Sequence, residues 1–273
     1  MRDWSEAVVR VKVAGFSCVQ RIRGDWLAHR PVVRPEGAQV THWQGPEVAE
    51  AAWQAFLQSG QTLENAHRDF PKWHRGRPRY YLWALEMDDR KVARAMAAAQ
   101  AHLAGHLLAG YVRQPHVTLT LCGFPTSHHR CEDEFGAEDF AAWMRALAAQ
   151  APDPFRVEIG GLASFSSAPF FSVADPEAGI ARLRRALAGR AHHDSGAPYL
   201  PHLTVGLYGG AWAVLPLAGR LSAYDGPSPG VCLVDRVSLM SYEAAVIGGP
   251  LRREASFDLA TRQLDGVPPW PSR

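Results

Sequence analysis

Pro115-His116-Val117-Thr118-Leu119 and Pro201-His202-Leu203-Thr204-Val205 are two copies of one phrase, set 86 residues apart (202 − 116) in a chain of 273. Each embeds a His-x-Thr in alternating apolar residues. With 12 histidines and 7 threonines, only about 0.3 such pairs are expected by chance. In a strand, residues two apart share a face. His116, Thr118, Thr120 and Cys122 are therefore expected on one face of the first strand, with Val117, Leu119 and Leu121 on the other. The second strand is expected to carry His202, Thr204, Gly206 and Tyr208 together, backed by Leu203, Val205 and Leu207. Both read as half-buried strands with a polar working face.

Each motif strand closes a larger unit. Tyr80–Leu85 reads as a strand, Asp88 and Asp89 open a helix with Val92, Met96, Leu103 and Leu107 near helical spacing, and the first motif follows. Phe170–Val173 reads as a strand before a helix capped by Asp175, with Pro176 at its first position, Ile180, Leu183 and Leu187 inward and Gly189 as its stop; the second motif follows. The helix-opening aspartates 88 and 175 lie 87 residues apart, close to the offset of the histidines. This spacing predicts an internal duplication, two facing lobes whose equivalent strands bring both histidines to one cleft.

Outside the repeat, Pro46–Ser59, closed by Gly60, and about 137–150, with Phe140, Met144 and Leu147 on one stripe, read as helices. Further strands are expected at Val9–Val13, Phe155–Leu162, Val231–Tyr242 and Ala255–Leu259. The expected organisation is an N-terminal extension over 1–79 packed on the core, a two-lobed domain over 80–260 with lobes of about 80–165 and 166–260, and a Pro-rich, loosely ordered tail over 261–273.

Composition is that of a globular protein, 47% hydrophobic and 21% charged. A net charge of +2 does not demand a polyanionic partner. Cys18, Cys122, Cys131 and Cys232 have no disulfide-framework or CxxC spacing and read as free thiols in a reducing cytosol. The first residues lack the apolar core of a signal peptide, and no apolar run is long enough to cross a bilayer. A cytoplasmic protein without membrane association is expected, and nothing in the sequence points to an obligate protein partner.

Two histidines and two threonines converging on one point suit a phosphate diester. Histidine titrates near neutrality, so one imidazole can take a proton from water while its twin gives one to a leaving alkoxide. The threonine hydroxyls can donate to phosphoryl oxygens. Nothing in the motifs calls for a metal or a cofactor.

At these residues the chain resembles the two-histidine (2H) phosphoesterase superfamily, defined by two H-x-[ST]-x motifs in a duplicated α+β fold. Bacterial RNA 2′,3′-cyclic phosphodiesterases, also called 2′-5′ RNA ligases, are members. The resemblance covers roughly 80 to 260, and the extension departs from minimal members. It implies antiparallel sheets forming a central cleft with helices outside. It implies His116 and His202 as the catalytic pair, Thr118 and Thr204 as phosphate contacts, His202 as the base and His116 as the acid. It further implies hydrolysis of a 2′,3′-cyclic phosphate or related 2′-5′ linkage on an RNA end or small nucleotide, and a reverse ligation.

Softer candidates surround these four. Tyr208, Arg113 and Tyr199 are possible substrate contacts, by stacking or by charge. The interleaved basic and aromatic run Arg68–Arg79 suits single-stranded RNA or a plain connector. The pairs His102/His106, His128/His129 and His192/His193 lack the ligand company of a zinc site. Two competing readings are a non-catalytic nucleotide- or RNA-binding module on the same fold and a metal-dependent hydrolase.

Overall fold

A computed structural model describes residues 10–13, 16–19, 45–188, 198–268 and 270. In chain order the elements are the hairpin strands β1 (Arg10–Val13) and β2 (Phe16–Val19), helix α1 (Gly45–Gln58), the single turn α2 (Pro71–His74), β3 (Arg79–Glu86), α3 (Arg90–His102) and β4 (His116–Pro125). There follow β5 (Glu134–Phe135), α4 (Ala137–Gln150), β6 (Phe155–Ser164), β7 (Pro169–Ala174), α5 (Gly179–Ala186), β8 (His202–Thr204) and α6 (Val214–Ser222). The last four are β9 (Gly230–Val234), β10 (Arg236–Glu243), β11 (Arg252–Asp258) and β12 (Leu264–Asp265).

The class is α+β. One sheet has the order β12-β11-β10-β3-β4-β5 and the other β8-β7-β6-β9. Every strand pair in them is antiparallel except the two-residue pair β4·β5. The repeat is visible in this order: β11-β10-β3-β4 in the first sheet corresponds to β9-β6-β7-β8 in the second. Registers match too. Glu86, Leu85 and Ala84 stand opposite His116, Val117 and Thr118, while Ser172, Phe171 and Phe170 stand opposite His202, Leu203 and Thr204. The sheets meet along β4 and β8.

Sheet membership does not follow the expected lobes. β6, before residue 166, belongs to the second sheet, and β10 and β11, after it, belong to the first. The expected strand Val231–Tyr242 accordingly splits: β9 joins one sheet and β10 the other, with the break at Asp235, whose carbonyl accepts from the Leu259 N–H. The two lobes also share one core, in which Leu85, Val117 and Leu119 join Phe171, Val173 and Leu203. Trp83 anchors it, stacked on Phe140 at 6.3 Å and edge-on to Trp143.

Helix starts are set by carboxylates. The Asp89 side chain accepts from Lys91 N–H at 2.6 Å and caps α3. Asp175 does the same for α5, but from further out, accepting from Gly179 and Ala181 N–H at 2.8 and 3.0 Å. Helix α5 does not begin at Pro176, because Ala178 takes a left-handed conformation (φ 54°) and interrupts the chain before Gly179. The two capping aspartates, 89 and 175, keep the 86-residue offset of the histidines. Helix α3 ends at His102, so Leu107 is not part of it; Leu107 bridges to Tyr208 instead. Helix α6 has no counterpart in the sequence reading.

From residue 45 on, the N-terminal extension is built into the molecule. Helix α1 packs against β6, β7 and α6, with Phe56 fully buried. Thr62 exchanges hydrogen bonds with Gly210 O and Trp212 N–H, and the Asn65 amide donates to Ser167 O and Tyr208 O. The tail is less loose than expected: β12 pairs with β11, and Trp270 packs on Phe135 and Phe140 at 5.8 and 5.9 Å. Val9, Gly189 and His192–Asp194 lie outside the described residues.

Candidate active site

The two motif histidines are held in the same way. Pro115 O accepts from Met87 N–H and Pro201 O from Val173 N–H, which pins the residue before each histidine to the neighbouring strand. His116 Nδ1 then bonds Gln114 O at 2.8 Å, and His202 Nδ1 bonds Leu200 O at 2.8 Å. A carbonyl oxygen only accepts, so Nδ1 carries the proton in each ring. Each Nε2 is left with its lone pair. β4 and β8, which carry the two rings, are in contact along the seam between the sheets, and the nearby His202 is one of the smaller influences that lower the His116 pKa. Thr118 and Thr204, two residues on, have hydroxyls with no hydrogen-bond partner among the described residues.

The surroundings differ. His202 is edge-on to Phe165 at 5.0 Å and packs on Phe170 at 5.3 Å. His116 faces Glu86 across the β3·β4 pair, and Glu86 is locked by Ser238 Oγ at 2.5 Å and by a two-pronged Arg253 fork at 2.7 and 2.6 Å. Burial, and next the nearby Arg113 charge, drive the His116 pKa down to about 4, against smaller upward pulls from Gln114 O and Glu86. Burial also lowers that of His202. Burial thus favours the neutral form of both imidazoles in the free protein.

The working face is shorter than strand parity predicts. Register shifts in the β3·β4 pair let Trp83 oppose Thr120 after Ala84 opposes Thr118, so Leu119 is an extra, bulged residue. Beyond it the alternation inverts. Cys122 turns into the main core and Leu121 joins Phe124, Leu82 and Met240 on the histidine side. Thr120 and Cys122 thus leave the face of His116 and Thr118.

The softer candidates resolve individually. Tyr208 is fully buried and bonds Ser164 Oγ at 2.6 Å; β8 ends at Thr204, so the parity that placed it beside His202 stops before it. Tyr199 spends its hydroxyl on Thr118 O at 2.7 Å, under the Arg184 guanidinium at 3.6 Å, and so ties the second unit to the first motif strand. Arg113 is buried over the Tyr242 ring at 4.2 Å with Nε on Gly249 O at 3.2 Å, while its Nη2 is buried without a partner. The sequence reading missed Glu86, Asp88 and Arg253, which join His116 around a cavity of about 340 Å³.

His102 Nε2 bonds Arg220 O, His106 packs edge-on to Trp212, and His129 pairs with Asp139 at 3.0 Å. Among the described residues one trio of metal-ligating atoms lies within 4.8 Å, those of Cys131, Asp133 and Glu134. Arg75 donates to the Cys131 sulfur and Arg77 holds both carboxylates, so this trio is already charge-balanced by arginine. No described helix is long and apolar enough to cross a membrane.

The model of the 2′-5′ RNA ligase superfamily matches residues 88–245, which is more than half of the chain and includes both motifs. No curated protein matches. Among solved structures, E. coli LigT complexed with 3′-AMP is 15% identical, with 67% of this chain and 98% of that one covered and a TM-score of 0.48. E. coli LigT complexed with NADP+ is 17% identical over 67% and 99%, with a TM-score of 0.43. TT0787 of Thermus thermophilus is 18% identical over 66% and 98%, with a TM-score of 0.41.

Proposed function

The chain belongs to the 2′-5′ RNA ligase superfamily, and from that footing we propose that it is a metal-independent phosphodiesterase that opens 2′,3′-cyclic phosphates, or related 2′-5′ linkages, on RNA ends or small nucleotides. Family membership supports phosphoesterase- or ligase-type chemistry. The observation that carries the finer reading is the matched pair of histidines, each with Nδ1 committed to a carbonyl and each followed by a threonine hydroxyl without a protein partner among the described residues. A pure binding module has no need of two identically oriented titratable groups.

In this mechanism the phosphate sits between the two rings, with the Thr118 and Thr204 hydroxyls donating to its non-bridging oxygens. His202 Nε2 takes a proton from water as the water oxygen bonds to phosphorus. The bond from phosphorus to one ribose oxygen breaks, and that oxygen receives the proton on His116 Nε2. The cavity beside His116 supports this order, since a nucleoside seated there would put the leaving oxygen on that side. The anionic diester itself draws the required proton onto the pair. The test is a panel of 2′,3′-cyclic and 2′-5′-linked nucleotides incubated in EDTA. Turnover to a 2′- or 3′-monophosphate is expected, and a requirement for added metal would sink the mechanism.

The pair must carry one proton between them, so the free enzyme's profile follows both histidines. With His116 near 4 and His202 lowered by burial, kcat/KM is expected to peak on the acid side of neutrality and to fall as pH rises through the His202 pKa. Arg113→Gln removes one of the two main causes that depress His116. Its titration midpoint, read from the ring Cε1–H resonance, is expected to rise and the acid limb of kcat/KM to move with it. Arg113→Lys, which keeps the charge, is expected to restore most of the wild-type midpoint. A midpoint unmoved in the Gln variant rules out this role.

A further inference from the structure

The cavity beside His116 has a chemistry of its own. Its floor is apolar, made by Met240 and Leu251, both nearly fully buried. At about 340 Å³ it falls at the small end of the range for small-molecule sites. Two polar groups of opposite kind stand around it. Arg253 is fixed by its fork on Glu86, which engages Nε and Nη2 and leaves the Nη1 hydrogens unused. Asp88 is exposed and holds no hydrogen bond or ion pair among the described residues, although it senses the charges of Arg253 and Arg236. An immobilised donor and a free carboxylate beside an apolar floor are the complement of a flat heteroaromatic ring with acceptors on one edge and donors on the next.

We propose that this cavity is a nucleobase subsite selective for guanine, with Asp88 accepting from N1–H and the exocyclic amine and Arg253 donating to O6 and N7. The assignment rests on the phosphodiesterase reading above, since it makes guanosine the nucleoside of the cyclic phosphate. Guanine fits because its Watson–Crick edge offers two adjacent donors to one carboxylate. Adenine offers one donor and turns the lone pair of its N1 toward the second oxygen. Uracil and cytosine reach less of the floor. Glu86 is a positioning residue here, since both of its oxygens are occupied by Ser238 and Arg253.

The experiment measures kcat and KM for the four 2′,3′-cyclic nucleotides with wild type and Asp88→Asn, and the binding of GMP, AMP and XMP to both. Wild type is expected to favour the guanosine substrate roughly tenfold, mainly through KM, and to bind GMP above AMP by a similar factor. In Asp88→Asn the amide presents one acceptor and one donor, so GMP is expected to weaken and XMP, which has a carbonyl where guanine has its amine, to gain relative to it. A structural role for Asp88 does not produce that inversion. Equal KM values for all four substrates, or a guanine preference that survives in Asp88→Asn, overturn the subsite while leaving the phosphodiesterase intact. If no cyclic nucleotide is turned over but the GMP preference and its inversion are seen, the subsite stands and the phosphodiesterase reading fails.

Discussion

His116→Ala and His202→Ala are each expected to lower kcat toward 2′,3′-cyclic nucleotides by about 10² to 10⁴, the range for removing one positioned acid or base. The reason is specific to this geometry. Each ring has Nδ1 spent on a backbone carbonyl, which leaves Nε2 as the one nitrogen through which it can exchange a proton with a substrate. In the proposed mechanism the two act on one transition state, so the losses are not expected to add. The double variant is expected to fall little below the worse single one. Folding is the necessary control. Each substitution removes one histidine–carbonyl hydrogen bond, on the order of 1 kcal/mol, so a cooperative thermal transition within a few degrees of wild type is expected for both. Normal rates in either folded variant exclude paired-histidine catalysis. Removing the Thr118 or Thr204 hydroxyl is expected to cost less, because only one donor to the phosphate is lost.

Much of this site is legible in the sequence, because local rules govern it. A His-x-Thr in alternating apolar residues fixes which side chains share a face for as long as the strand is regular. The 86-residue offset reappears in the histidines, in the carbonyls that hold them and in the strand partners Glu86 and Ser172. The failures lie where a partner strand decides. The bulge at Leu119 is a property of the β3·β4 pairing, and it turns Cys122 into the core against its own parity. Strand parity misplaces Tyr208 because β8 stops at Thr204, a point set by where β7 begins beside it. The single run Val231–Tyr242 gives no local sign that Asp235 hands the chain from one sheet to the other. Arg253 is the extreme case. It reaches Glu86 from a strand 167 residues further along the chain, and no periodicity connects the two.

The same distinction bears on the basic and aromatic run at 68–79. Arg77→Met is expected to destabilise the protein by about 2–4 kcal/mol, below or at the low end for breaking a buried ion pair because the groups retain some solvent contact. For a chain this long that amounts to roughly 5–10 °C in Tm. All five guanidinium hydrogens are committed: Nε to His74 O, Nη1 to Asp133 and Glu134, Nη2 to Asp133 and Trp73 O. The group also lies over the Phe124 ring at 3.7 Å, beside Trp73 and Tyr80. Arg77 has no donor left for a phosphate, so it is a strap and not an RNA contact. Proton linkage gives this claim a signature. Burial raises the Asp133 carboxyl pKa, but the Arg77 hydrogen bonds and charge outweigh it and hold it below its ordinary value; Glu134, also raised by burial, is lowered in the same balance, chiefly by the Arg130 and Cys131 N–H groups and then by Arg77. A depressed carboxyl contributes stability that is present above its unfolded pKa, near 4, and is lost as pH falls through the folded value. The difference in Tm between wild type and Arg77→Met is therefore expected to be full at pH 7 and to shrink toward pH 3, with unchanged affinity for single-stranded RNA at pH 7. Reduced RNA affinity at an unchanged Tm is the result that would return this run to the nucleic-acid reading.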